Sequence, residues 1–61
     1  MVYEMKMHNV TQLPDKRIYE TFTDEYERNR RWSELKNKRI KVETGMYDSV
    51  SWRIYFLIYK E

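Results

Sequence analysis

The chain has 61 residues, of which 41% are hydrophobic and 16% aromatic, and its formal net charge is +2. This length allows one domain over residues 1–61, and the apolar content is too high for a disordered tail. The sequence has no cysteine, and its N-terminus lacks the basic start and apolar run of a signal peptide, so we expect an intracellular, cytoplasmic domain without disulfides or a membrane span.

The first third of the chain is predicted to form a β-hairpin between residues 2 and 22. MVYEMKMH (residues 1–8) alternates apolar and polar side chains, which is the period of a half-buried strand. Pro14 and Asp15 suit the centre of a tight turn, and RIYETF (residues 17–22) is rich in β-branched and aromatic residues, as strands are.

A helix is predicted next, over TDEYERNRRWSELKNK (residues 23–38). Thr23 is a suitable N-cap, acidic residues follow it and basic residues come last, as the helix dipole favours. Its only apolar residues are Tyr26, Trp32 and Leu35, so the amphipathic pattern is weak. An alternative is one long helix from about residue 15 to 38, which would give a βαββ order.

Two further strands complete the predicted fold. RIKVET (residues 39–44) alternates apolar and charged residues, residues 45–48 are predicted to turn the chain, and residues 50–59 form the longest strand. The expected fold class is therefore α+β, in the order ββαββ, with an antiparallel-rich four-stranded sheet and one helix packed on one face.

The last strand is apolar on both sides, although a single helix covers only one face of a sheet. We expect the helix to cover the side with Trp52, Ile54, Phe56 and Ile58. The opposite side would then stay open, and a tyrosine–leucine–tyrosine patch there would need an outside partner. The residues predicted to bind that partner are Arg53, Tyr55, Leu57 and Tyr59.

Catalytic, metal-binding and cofactor-binding patterns are missing from the sequence. His8 is the only histidine, and Gly45 is the only glycine, which excludes glycine-rich phosphate loops. The acidic residues that open the predicted helix are explained by capping and by the helix dipole. We therefore expect no enzyme activity, no cofactor, no metal and no small-molecule substrate.

Residues 28–41 (RNRRWSELKNKRIK) contain seven basic residues and one acidic residue around a tryptophan. Such a segment could neutralise phosphates while the indole stacks on a base, or it could be an ion-paired helix face exposed to solvent. The residues predicted to contact nucleic acid or an acidic partner are Arg28, Arg30, Arg31, Trp32, Lys38 and Arg39.

Taken together, these features favour a small non-enzymatic protein-interaction module that binds another protein or forms a homodimer. The size and composition are also typical of viral or mobile-element proteins that regulate or inhibit a host protein. The alternative is a nucleic-acid-binding protein that uses the basic helix and exposed aromatic residues of the sheet.

Overall fold

A computed structural model of the chain describes residues 7–61. It confirms the predicted α+β fold, in which four antiparallel strands form one sheet and a single helix packs against it. The sheet order is β1-β2-β4-β3, so β4 is central beside β2 while β1 and β3 form the edges. The elements are β1 (His8–Gln12), β2 (Ile18–Phe22), α1 (Glu25–Asn37), β3 (Val42–Asp48) and β4 (Arg53–Tyr59).

The predicted first hairpin is present, and its first strand extends further along the chain than predicted. Residues 1–6 of the predicted strand lie outside the described residues, and β1 extends to Gln12. The turn that follows is closed by the Leu13 amide, which donates to the Arg17 carbonyl at 2.8 Å. Lys16 in this turn has a φ of 71°, in the left-handed region.

The alternative of one long helix is wrong, because Ile18–Phe22 is a strand paired with β1 on one side and with β4 on the other. Pairing on both edges satisfies the backbone of this β-branched and aromatic segment, which has little intrinsic preference for a helix. The predicted N-cap is also one residue early. Asp24 caps α1, and its carboxylate accepts a hydrogen bond from the Tyr26 amide at 3.0 Å.

The helix ends in a Schellman motif. The Ile40 amide donates to the Leu35 carbonyl at 3.1 Å, and the Arg39 amide donates to the Lys36 carbonyl at 2.9 Å. Arg39 occupies the left-handed position of the motif with a φ of 61°, where glycine is usual. Ile40 packs against the core and leads directly into β3.

The predicted turn at residues 45–48 is wrong, because these residues continue β3 and the chain reverses at residues 49–52 instead. Gly45 lies opposite Phe56 in the β3–β4 pair. A Cβ atom at position 45 would lie 2.7 Å from Cζ of Phe56, so the glycine makes room for a ring that lies against the strand. The glycine is therefore needed for close approach within the sheet.

The predicted orientation of β4 is also wrong. The core consists of Phe22, Leu35, Leu57 and Tyr59, so α1 covers the side of β4 that carries Tyr55, Leu57 and Tyr59. The side with Ile54, Phe56 and Ile58 faces away from the helix.

The reason for this orientation lies in the inward stripe of α1, which consists of Arg28, Arg31, Trp32 and Leu35 at helical spacing. Arg28 stacks 5.3 Å from the centre of the Tyr55 ring, and Arg31 lies 6.0 Å from that of Tyr59. Tyrosine offers both a ring face and a hydroxyl to a guanidinium, whereas the β4 side chains on the other side, Ile54, Phe56 and Ile58, offer no hydroxyl. An arginine-bearing helix is therefore better matched to the tyrosine side.

Candidate binding surfaces

The residues predicted to bind a partner do not form a surface. Leu57 is completely buried and Tyr59 is 4% exposed. Tyr55 packs against the core beneath Arg28. Only Arg53 is exposed, and it pairs with Asp48 at 3.0 Å. The chain's own helix therefore shelters the patch that we expected a partner to cover.

The residues predicted to contact nucleic acid are divided between the core and the surface. Arg28 faces the sheet, where it donates to Thr44 Oγ1 at 2.8 Å and to the Gly45 carbonyl at 3.3 Å. Arg31 also points inward, and Trp32 is half-buried with the Lys36 ammonium 4.7 Å from its ring centre. The three residues of this set that remain on the surface are Arg30, Lys38 and Arg39.

A buried polar cluster surrounds Glu20, which is 1% exposed. Its carboxylate accepts hydrogen bonds from the Tyr59 hydroxyl, from His8 Nε2 at 2.7 Å and from Arg31 Nε at 3.2 Å. Arg31 also donates to the Tyr59 hydroxyl at 3.1 Å. This cluster was not predicted, although Glu20 lies between Ile18 and Phe22 on the same side of β2, which marks an inward position.

The electrostatics of the cluster favour a charged carboxylate. Burial raises the pKa of Glu20, but the hydrogen bonds from Tyr59, His8 and Arg31 outweigh it and leave that pKa below its usual value. Among the described residues, every buried side-chain polar atom has a partner. The cluster therefore links α1 and β1 to the two central strands through one buried carboxylate.

The sheet side opposite α1 is an apolar surface that no element of residues 7–61 covers. Because directly opposed residues of antiparallel strands share a face, the pairing places residues of β2, β3 and β4 together there. We call this surface the open face, and its main members are Tyr19, Tyr47, Ile54, Phe56 and Ile58.

Three aromatic rings form the centre of the open face. The Phe56 ring lies 6.0 Å from the Tyr19 ring and 6.2 Å from the Tyr47 ring, and the two tyrosine hydroxyls are 3.3 Å apart. Burial, together with this hydroxyl contact, raises the pKa of Tyr19 to about 12. The centre is therefore a neutral aromatic cluster with one polar pair above it.

One pole of the molecule collects basic residues from three separate segments. Tyr59, at the end of β4, is paired with both Ile18 and Val42, so the turn before β2, the segment before β3 and the C-terminus meet there. A cavity of about 290 Å³ at this pole is lined by the bases Arg17, Lys41 and Lys60 and by one acidic residue, Glu43. We call this region the basic end, and its members are Lys16, Arg17, Lys38, Arg39, Lys41 and Lys60.

Residues 7–61 contain no group of three or more histidine, cysteine, aspartate or glutamate residues that could hold a metal ion. In the same part of the chain, the helix is too short and too polar to span a bilayer.

The chain matches no protein-family model, and neither a curated protein nor a solved structure is significantly similar to it. Its function must therefore be argued from the surfaces themselves.

Proposed function

We propose that the protein is a non-enzymatic protein-interaction module that self-associates through the open face. The observation that supports this proposal is the apolar sheet surface of Tyr19, Tyr47, Ile54, Phe56 and Ile58, which no element of residues 7–61 covers. Contiguous apolar surface of this kind marks interaction sites in small proteins.

The composition of the open face suits a protein partner. Aromatic rings dominate the energetics of protein interfaces, and the open face has three of them at its centre with isoleucines on either side. The Tyr19 and Tyr47 hydroxyls can exchange their mutual contact for hydrogen bonds across an interface. Apolar anchors around a small polar centre are typical of homodimer contacts.

The available area agrees with a weak dimer. Strands of five to seven residues in a four-stranded sheet give a face of roughly 400 Å² in projection, and its side-chain relief enlarges the accessible area. Two such faces together bury on the order of 1,000 Å², which is close to the lower limit for specific association. We therefore expect dissociation constants in the micromolar range or weaker.

Charge selects the arrangement of the two copies. Three bases, Arg17, Lys41 and Lys60, and one acidic residue, Glu43, border one end of the open face at Ile58, so this end is net positive. In one arrangement, a two-fold axis near Phe56 makes the facing strands antiparallel and places the two basic ends at opposite poles. The ends are then about 20 Å apart, which is longer than the Debye length at physiological salt. The parallel arrangement would bring like charges together, so the antiparallel one is favoured.

Sedimentation velocity over micromolar to millimolar protein concentrations tests the proposal. We expect the sedimentation coefficient of the parent to rise with concentration and that of Ile54→Lys to remain at the monomer value, because a charge would be buried at the contact. Val50→Lys is the matched control, since Val50 is fully exposed at the hairpin tip, and it should behave as the parent does. A parent that stays monomeric throughout, or equal behaviour of the two variants, would refute self-association through this face.

A further inference from the structure

The basic end carries more positive than negative charge, because its six lysines and arginines share this pole with three acidic residues, Asp15, Glu43 and Glu61. Lys38, Arg39, Lys41 and Lys60 form no ion pair within residues 7–61, and all four are exposed. Arg17 pairs with Asp15 in its own turn. By contrast, the arginines that face the sheet already have carboxylate partners.

Among the described residues, two that are not glycine have a left-handed backbone conformation, and both lie at the basic end. These residues are Lys16, with a φ of 71°, and Arg39, with a φ of 61°. Glycine or asparagine adopts this conformation at lower cost, so a long basic side chain at both positions is unfavourable for folding alone. Backbone strain of this kind tends to be retained where a side chain has a task.

From these two independent features we infer that the basic end binds the phosphodiester backbone of a nucleic acid, at a surface that adjoins the open face at Ile58. The six bases come from three segments, and three of them, Arg17, Lys41 and Lys60, line the cavity of about 290 Å³ together with one acidic residue, Glu43. A nucleic acid presents closely and regularly spaced phosphates, which several lysine and arginine side chains can contact at once. Contacts to phosphates carry no sequence information, so the binding is sequence-independent.

The site differs from the one that the linear basic run indicated. Arg28 and Arg31 of that run are used to hold α1 on the sheet. Lys16, Arg17 and Lys60 are distant from the run in sequence and join it only through strand pairing. Arg30 remains exposed on the helix, away from the basic end, and so distinguishes the two sites experimentally.

Fluorescence anisotropy with labelled single-stranded and double-stranded oligonucleotides of mixed sequence, measured across a salt series, tests the inference. Four phosphate contacts predict a slope of log K against log salt of about −3 to −4, at about 0.7 to 0.9 per phosphate. Lys41→Glu should weaken binding at low salt about tenfold or more and reduce that slope by about one. Arg30→Glu changes the net charge equally and should cause a much smaller loss, whereas Lys41→Arg should bind as the parent does.

Three results would overturn the inference. They are no binding of either oligonucleotide at low salt, equal losses for Lys41→Glu and Arg30→Glu, and equally tight binding of poly-glutamate, which would indicate an acidic protein as the partner. Circular dichroism of each variant verifies that the fold is intact. A preference for the single or the double strand identifies which form of nucleic acid supplies the phosphates.

Discussion

Glu20 is a carboxylate in the core of a very small domain, where a lone charge would be costly. It is tolerated because three donors from three elements surround it: Tyr59 from β4, His8 from β1 and Arg31 from α1. Removing the carboxylate would take a hydrogen-bond acceptor from each of the three donors. The cluster therefore fixes the positions of both β1 and α1 relative to the central strands β2 and β4.

Glu20→Gln should lower the free energy of unfolding near neutral pH by about 2 kcal/mol, because a neutral amide cannot replace a carboxylate beside Arg31. The pKa of Glu20 in the folded protein lies below its usual value, so its contribution to stability is present above that usual value and is lost as the pH falls through the folded pKa. Urea unfolding of parent and variant between about pH 3 and pH 7 measures the difference, which should shrink towards acid pH.

Glu34→Gln is the control for this experiment. Glu34 pairs with the same arginine at 3.2 Å, but its side chain is half exposed, so its loss should cost less than about 1 kcal/mol. A difference between parent and Glu20→Gln that is independent of pH would show that Glu20 is uncharged in the folded protein.

The helix α1 is held on the sheet by arginines as much as by apolar side chains. Leu35 is its only fully buried residue, and Trp32 is partly covered. Arg28 supplies two hydrogen bonds to β3 and a ring contact with Tyr55. The helix therefore needs no strong apolar stripe, because the stems and guanidinium groups of its arginines cover the sheet.

Arg28→Ala should destabilise the domain by about 2 kcal/mol, through lost hydrogen bonds to Thr44 and Gly45 and lost stacking on Tyr55. Arg30→Ala removes the same side chain from an exposed position two residues away and should change stability by less than about 0.5 kcal/mol. Thermal or urea unfolding of both variants measures the contrast. Equal effects would mean that Arg28 does not contribute to helix packing.

Periodicity and turn chemistry were sufficient to predict the number, type and order of the elements. They could not orient β4, because both of its sides are apolar and alternation alone gives no preference between them. The missing information lay in α1, where Arg28, Arg31, Trp32 and Leu35 share one stripe and require tyrosines opposite. The basic end was also beyond sequence reasoning, since Arg17 and Lys60 reach it only through long-range pairing.

The whole molecule has two layers, with α1 on one side of the sheet and nothing from residues 7–61 on the other. Its hydrophobic core is correspondingly small, so any association that covers the open face should add measurably to stability. The basic end lies at one pole and adjoins the open face at Ile58, so an antiparallel dimer through that face would keep the two basic ends apart.

Self-association should therefore appear as concentration-dependent thermal stability. A tenfold rise in protein concentration should raise the Tm of the parent by about 3 to 5 °C once the dimer is populated. Ile54→Lys should show no such dependence, and the Val50→Lys control should retain it. A parent Tm that is constant over the same concentrations would contradict dimer formation.

Gly45 affects more than the strand that contains it. Because no side chain stands beneath Phe56, the ring settles close to the backbone, 6.0 and 6.2 Å from its tyrosine neighbours. A methyl group at position 45 would push the Phe56 ring away from the backbone and make this part of the open face less flat. The shape that a binding partner would contact at the middle of the sheet therefore depends on the missing Cβ atom of Gly45.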